Sequence, residues 1–311
     1  MRFHYTQLFS TYSIVARDPE TGWLGVAVQT HQMSVGRVVP WLLPGVGALA
    51  TQSLTNISFG PVGMEMLKQG IPAARVVAAL VASDEGANRR QVAVVDADGR
   101  SAAWTGDGCI AHAAHHAGEG YSVQANMMTR DTVIPAMVAA YEGASGNLAD
   151  RMVAALIAAQ EEDGDIRGMQ SAALKIVSGN KEDPAWMSLY DVRVDEHAEP
   201  VKELTRLVRL TGAQIVDNRG DRAFRAGHRA EALAQWTEAR ATAPELEELP
   251  FWQAVTLADN AGDIEAAAAI LRPALANDPR REHWIDLLRR LEVCGIIERE
   301  GTADELITAL E

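Results

Sequence analysis

Thr11-Tyr12-Ser13-Ile14-Val15-Ala16, Arg17-Asp18-Pro19-Glu20-Thr21-Gly22 and Trp23-Leu24-Gly25-Val26-Ala27-Val28-Gln29 follow one another near the start of the chain. The two outer runs are rich in β-branched residues and free of charge, so they read as strands. The middle run is turn chemistry: Pro19 presets φ and Gly22 accepts a positive one. Together they predict a β-hairpin whose strands are covered on both faces.

The same reading extends along the chain. Residues 45–53 predict a third buried strand, and 64–69 and 73–82 carry helical spacing. Residues 91–96 and 101–104 flank Ala97-Asp98-Gly99-Arg100, a second hairpin in which Asp98-Gly99 is explained by the turn. Residues 122–127 form another strand. Residues 132–142 and 148–161 predict two amphipathic helices, separated by 143–147. Strands at 171–178 and 189–194 follow, and Pro200 opens a helix to about Leu210. The order ββ, β, αα, ββ, β, αα, ββ, α lacks the strict alternation of a doubly wound parallel sheet. It predicts an α+β domain over residues 1–212, a four-layer αββα sandwich of two antiparallel sheets with helix pairs outside.

Beyond residue 212 the texture is helical. Ala226-Gly227-His228-Arg229-Ala230-Glu231-Ala232 is matched by Ala261-Gly262-Asp263-Ile264-Glu265-Ala266-Ala267, and Ala239 and Pro244 by Ala274 and Pro279. The period of about 35 residues is next to that of tetratricopeptide helix pairs. An all-α helical-repeat domain is therefore expected over residues 213–311, its small residues at helix contacts and its Pro residues ending helices.

Composition bounds the function. The chain has 311 residues, enough for two domains, and 48% hydrophobic residues mark it as globular. Its 42 acidic and 28 basic residues give a formal charge of -14, which argues against a nucleic-acid partner. Cys109 and Cys294 form no disulfide framework or C-x-x-C motif, and a reducing cytoplasm is expected. No apolar run of about 18 residues predicts a membrane span. The first twenty residues lack the apolar core of a secretory signal.

Five blocks carry a resemblance: residues 11–28; Gly45-Val46-Gly47-Ala48 with Ala50-Thr51-Gln52-Ser53; Tyr121-Ser122-Val123-Gln124-Ala125-Asn126; residues 164–174; and residues 191–197. On these the chain resembles, over about residues 11–210, a bacterial family of unknown function with an N-terminal-nucleophile (Ntn) hydrolase-like fold. Residues 213–295 resemble a small domain often fused to it and labelled peptidoglycan-binding, although helical repeats mostly bind proteins or peptides. The resemblance implies hydrolysis of an amide bond by an amidohydrolase. In such enzymes the first residue of the first strand supplies both nucleophile and, through its free α-amine, the base. Thr11 matches that position. Here ten residues precede it, so its nitrogen is an amide. Either the Ser10–Thr11 bond is cleaved, or the chain properly starts at Thr11, or the chemistry is lost and Thr11 is an ordinary strand residue. Ser13 faces the same side and is the alternative nucleophile.

An acyl-transfer site needs donors for an oxyanion. Asn126 is the first choice and Gln52 the second, each at a strand end where an amide can equally cap a loop. Arg167 could hold a substrate carboxylate, and Asp165 could pair with Arg167 or orient the amine of Thr11; a surface ion pair is the plainer alternative. Gln170 and Ser171 are further contact candidates, and His31 lies near the pocket or serves a turn. In His112-Ala113-Ala114-His115-His116, the i, i+4 histidines would suit zinc only on a helix. The Glu of HExxH is absent and a loop sequence follows, so no metal ligand is assigned. Trp23, Trp41, Trp104 and Trp186 read as packing or cleft residues.

The expected function is hydrolysis of a small amide, cyclic amide or acylamino acid, with no cofactor required. The expected partners are that small-molecule substrate, neither nucleic acid nor membrane, and a peptide or protein at the C-terminal domain, with a homo-oligomer left open. The rival is a non-catalytic binding protein that uses the same cleft and repeat to hold a ligand.

Overall fold

The computed structural model describes residues 8–9 and 11–311. The Ser10–Thr11 bond, whose cleavage the sequence raises, involves a residue outside those described. The chain divides into two compact units, Met1–Val208 and Arg209–Glu311.

Among the described residues the first unit runs in the order β1 (Leu8–Phe9), β2 (Thr11–Arg17), β3 (Leu24–Thr30), β4 (Pro40–Leu43), β5 (Gly47–Leu54), α1 (Phe59–Lys68), α2 (Ala73–Ala82), β6 (Arg90–Asp96), β7 (Ser101–Thr105), β8 (Ala114–Gly118), β9 (Tyr121–Asn126), α3 (Val133–Gly143), α4 (Leu148–Glu161), β10 (Ser171–Val177), β11 (Tyr190–Val194) and the start of α5 (Pro200–Arg225). One antiparallel sheet has the order β1-β5-β6-β7, with β4 also on β5; the other has the order β11-β10-β3-β2-β9-β8. The two expected hairpins are present, β2–β3 in one sheet and β6–β7 in the other. Strands β2 and β3 pack on β5, and β9 on β6, so the sheets face each other. Helices α1 and α2 lie on β4 to β7, and α3 and α4 on β2, β3, β8 and β9.

Each core strand is therefore covered on both faces, which explains its lack of charge. Val15, Val26 and Val28 meet Ala48, Ala50, Ala93 and Val95 between the sheets. Leu49, Val92 and Val94 point the other way, onto Met64, Val76 and Leu80 of α1 and α2. Gly25 lets α4 approach: a Cβ there would stand 2.6 Å from Met152 Sδ. Helix α4 starts in a capping box, Asn147 accepting from the Asp150 N–H while Asp150 accepts from the Asn147 N–H.

Some expectations need correction. Strands β4 and β8 were not expected: Pro40 opens the first, and alanine and histidine rather than β-branched residues fill the second. Helix α1 begins at Phe59 rather than Met64. The HAAHH segment, read as leading into a loop, runs instead into strand β8, Ala114–Gly118, which sends His115 and His116 to opposite faces. Among the described residues no group of His, Cys, Asp and Glu is placed to hold a metal. Helix α5 runs to Arg225, past the expected stop near Leu210 and through residue 212. Nothing in 211–225 breaks a helix strongly; of its two glycines, Gly212 and Gly220, the second is a packing residue whose Cβ would stand 2.5 Å from Trp236 Cδ1. Among the described residues no helix is long and apolar enough to cross a membrane.

The second unit continues with α6 (Arg229–Thr242), α7 (Glu248–Ala261), α8 (Ile264–Leu275), α9 (Arg281–Val293) and α10 (Thr302–Leu310). Helices α6 and α8 start 35 residues apart (264 − 229), each just after a glycine with positive φ, Gly227 and Gly262. Ala232 and Ala267 are fully buried in one apolar cluster with Trp236, Phe251 and Leu271. Small residues there set the helix spacing, so a longer side chain has no room. Ala232→Leu and Ala267→Leu should each cost ~1–3 kcal/mol, seen as lowered urea midpoints in the full chain.

Candidate active site

The register of β10, β3, β2 and β9 lines up Ser171, Thr30, Thr11 and Asn126 in one row. All four are buried, and the row lies at the end of the sheet where β2 begins. Period-two alternation turns Thr11, Ser13 and Val15 toward the opposite sheet and Tyr12, Ile14 and Ala16 toward α4. The Tyr12 hydroxyl accordingly donates to Gln160 Oε1 of α4 at 3.0 Å. Burial, and secondarily the charge of Asp165, hold that phenol well above its ordinary value.

Between the sheets, one end of the interior is polar. Gln91 of β6 sits at its centre. Its Oε1 accepts from Gln52 Nε2 at 2.7 Å and from Asn126 Nδ2 at 3.0 Å. Its Nε2 donates toward Thr105 Oγ1, Ala125 O and Ala114 O at 2.8, 2.9 and 3.1 Å. Gln52 Nε2 and Asn126 Nδ2 also reach the backbone oxygen of Thr11, at 3.2 and 3.4 Å. Ser13 Oγ donates to Gln52 Oε1 at 2.7 Å and accepts from Gln124 Nε2 at 2.5 Å. The Thr11 hydroxyl is the exception in this layer: it is fully buried and has no hydrogen-bond partner among the described residues.

A second cluster forms on the loop after α4. The buried carboxylate of Asp165 accepts the His31 N–H at 2.9 Å and the Arg167 N–H at 2.9 Å. It also takes the Arg167 guanidinium through Nε and Nη2. His31 Nδ1 lies 3.2 Å from Met169 O. The Gln170 N–H donates to Thr30 O at 3.1 Å, which ties this loop to the polar row. Ser171 Oγ donates to Gln32 O and accepts from the Val35 N–H.

The candidate residues thus fall into two groups. Thr11, Ser13, Gln52 and Asn126 share the layer between the sheets. Asp165, Arg167, Gln170 and His31 form the loop cluster, with Ser171 at the end of the row. Of the two roles open to Asp165, pairing with Arg167 is present. The arginine fork expected to await a substrate carboxylate is turned onto Asp165. Ser13, the second nucleophile candidate, has its hydroxyl engaged on both sides.

Sequence reading missed Gln91, Gln124, Thr30 and Thr105. A signal existed for Gln91: it shares the inward period of Ala93 and Val95, so a glutamine there needed a polar partner across the interface. Thr30 similarly continues the inward set of Val26 and Val28.

Residues 11–204 match the family described as "Family of unknown function (DUF1028)", and the chain belongs to that family. The crystal structure of protein SPO2555 from Silicibacter pomeroyi, of the same family, is 28% identical in sequence, with a TM-score of 0.58. That match covers 64% of this chain and 88% of that one. Anbu, the ancestral beta-subunit from Yersinia bercovieri, aligns over 63% of this chain and 91% of its own at 12% identity and a TM-score of 0.33, too distant to bear on the argument. No curated protein matches the chain.

The layer makes a stability prediction. Gln91→Leu keeps the volume but strips two buried amides of their shared acceptor. It should cost on the order of 3 kcal/mol, measured by urea unfolding. Ser122→Ala, which removes one peripheral bond to Gln124 Oε1, should cost about 1 kcal/mol.

Proposed function

We propose that the first unit is an Ntn-hydrolase-like αββα sandwich and that the protein is an amidohydrolase of small amides, cyclic amides or acylamino acids, with Thr11 as nucleophile. The observation that carries this reading is the Thr11 hydroxyl, fully buried and, among the described residues, without a partner in a layer of paired polar groups. Burying an unpaired hydroxyl costs about 1–3 kcal/mol, and valine would fill the same space without that cost. A hydroxyl kept there fits a group awaiting a base and a substrate.

The base is the α-amine of Thr11 itself, released when the Ser10–Thr11 bond is cleaved. Its ordinary pKa of about 7.7–8.0 suits proton transfer near neutral pH. Thr11 Oγ1 adds to the substrate carbonyl carbon while the amine takes its proton. The proton then passes to the leaving nitrogen as the C–N bond breaks, and water hydrolyses the acyl ester. Asn126 and Gln52 are the oxyanion donors in this scheme. Both already direct an N–H at a carbonyl oxygen, that of Thr11. Asp165, Arg167, Gln170, Ser171 and His31 border the substrate, and no cofactor takes part. The second unit is a tetratricopeptide-like repeat for a peptide or protein partner, in a cytoplasmic protein.

One observation favours the rival, a non-catalytic binding protein: Gln91 takes an N–H from both oxyanion candidates. The two readings divide on the amine. A chain beginning at Thr11 should hydrolyse members of a small-amide panel, and Thr11→Ala in that form should lose about 10³-fold or more. Full-length protein that mass spectrometry shows intact should be inactive. Full activity of the intact chain, or an active Thr11→Ala, overturns the proposal.

A further inference from the structure

Through Thr105 the polar layer reaches the surface. Thr105 Oγ1, at the end of β7, lies 2.8 Å from Nδ1 of His115 on the exposed edge strand β8. The direction of that bond follows from chemistry. Gln91 must present its amide nitrogen to Thr105, because turning the amide over would set its oxygen against the carbonyls of Ala114 and Ala125. Thr105 Oγ1 is therefore an acceptor from Gln91, and in the tautomer that leaves Nδ1 bare its own proton goes to His115 Nδ1. This holds only while Nδ1 is unprotonated. A second proton on His115 reverses the bond: Nδ1 donates to the second lone pair of Thr105 Oγ1, and the Thr105 proton loses its acceptor.

Gln91 Nε2 has two protons for three acceptors. Any weakening at Thr105 is therefore felt by the amide as a whole, whose other end holds Gln52 and Asn126 against Thr11 O. We propose that His115 is a positioning residue for the Thr11 site: its neutral form sets the hydrogen-bond direction through Thr105 and Gln91 to the two amides at Thr11. This deepens the hydrolase reading and rests on it only for its functional meaning.

The surroundings favour the neutral form. Partial burial and then the charge of neighbouring His116 push the His115 imidazole below its ordinary value. Of the elements packed on β8, β7 and β9 carry no charged side chain, and α3 brings Glu142, which the Tyr121 hydroxyl holds at 2.6 Å. The flanking segments bring Asp107, His112 and Glu119. With the folded value lowered, the unfolded chain takes the proton first as pH falls. The contribution of His115 to stability is thus complete above about pH 6.5 and is lost as pH falls through the folded value.

The test is NMR on the full chain without substrate, with side-chain amides of Asn and Gln labelled. The Gln91, Gln52 and Asn126 amide signals should shift with the same midpoint as the His115 ring. His115→Asn, a neutral acceptor, should keep their high-pH positions and abolish the shift. Thr105→Val should leave His115 titrating while the amides stop responding. Amides that stay still while His115 titrates, or that still follow it in Thr105→Val, overturn the proposal. If a chain starting at Thr11 proves inactive on amides while the coupled titration is present, the hydrolase reading fails and the relay stands.

Discussion

An amide can accept and donate at opposite ends, and Gln91 uses both across the space between two sheets. Its oxygen gathers Gln52 from its own sheet and Asn126 from the facing one. Its nitrogen closes onto backbone of β9 and onto Ala114 at the start of β8. Apolar contacts hold the sheets at a distance but are non-directional. The amide fixes which strand end stands opposite which. The row through Thr11 has its geometry because this joint is saturated.

The interior between the sheets is graded. At one end Val15, Val26 and Val95 meet Ala48 and Ala93. At the other, Thr11, Ser13, Gln52, Gln91, Gln124 and Asn126 replace them at the same inward positions. Each step of two residues along β2 moves from hydroxyl to hydroxyl to valine. A buried polar layer is tolerated only when its members satisfy one another. The layer meets that condition at Ser13, Gln52, Gln91 and Asn126, which is why the unpaired Thr11 hydroxyl stands out as a chemical feature.

Much of this was legible in the sequence, for identifiable reasons. Charge-free runs around Asp-Pro-Glu-Thr-Gly, and a valine-rich run before Asp-Gly, gave the hairpins, and α2 and α4 have the expected bounds because their apolar spacing is long and regular. Strand β8 was hidden because its alanines and histidines carry little strand preference, although it pairs in a tight hairpin with β9, the next strand along the chain. The length of α5 was hidden because Gly212, just past Leu210, looks like a stop, whereas the helix runs on to Arg225. At the site, Thr11, Asn126 and Gln52 were expected and share one layer. Gln91 was not, since its role depends on the sheet opposite. The Asp165–Arg167 pair shows the same limit: the spacing was visible, but not which side chain the guanidinium would face.

Strand β2 shows a different amino acid character on each side: hydroxyls inward, a phenol and aliphatics outward. Slipping it by one residue between β3 and β9 would exchange the two sets. The bulky Tyr12 ring would then enter a space sized for a hydroxyl, stranding its phenol away from Gln160, and Ile14 would face glutamine amides. Neighbouring misregistered pairings are therefore heavily penalised during folding. The alternation that sets out the candidate site also acts as a proofreading code for assembling the sheet.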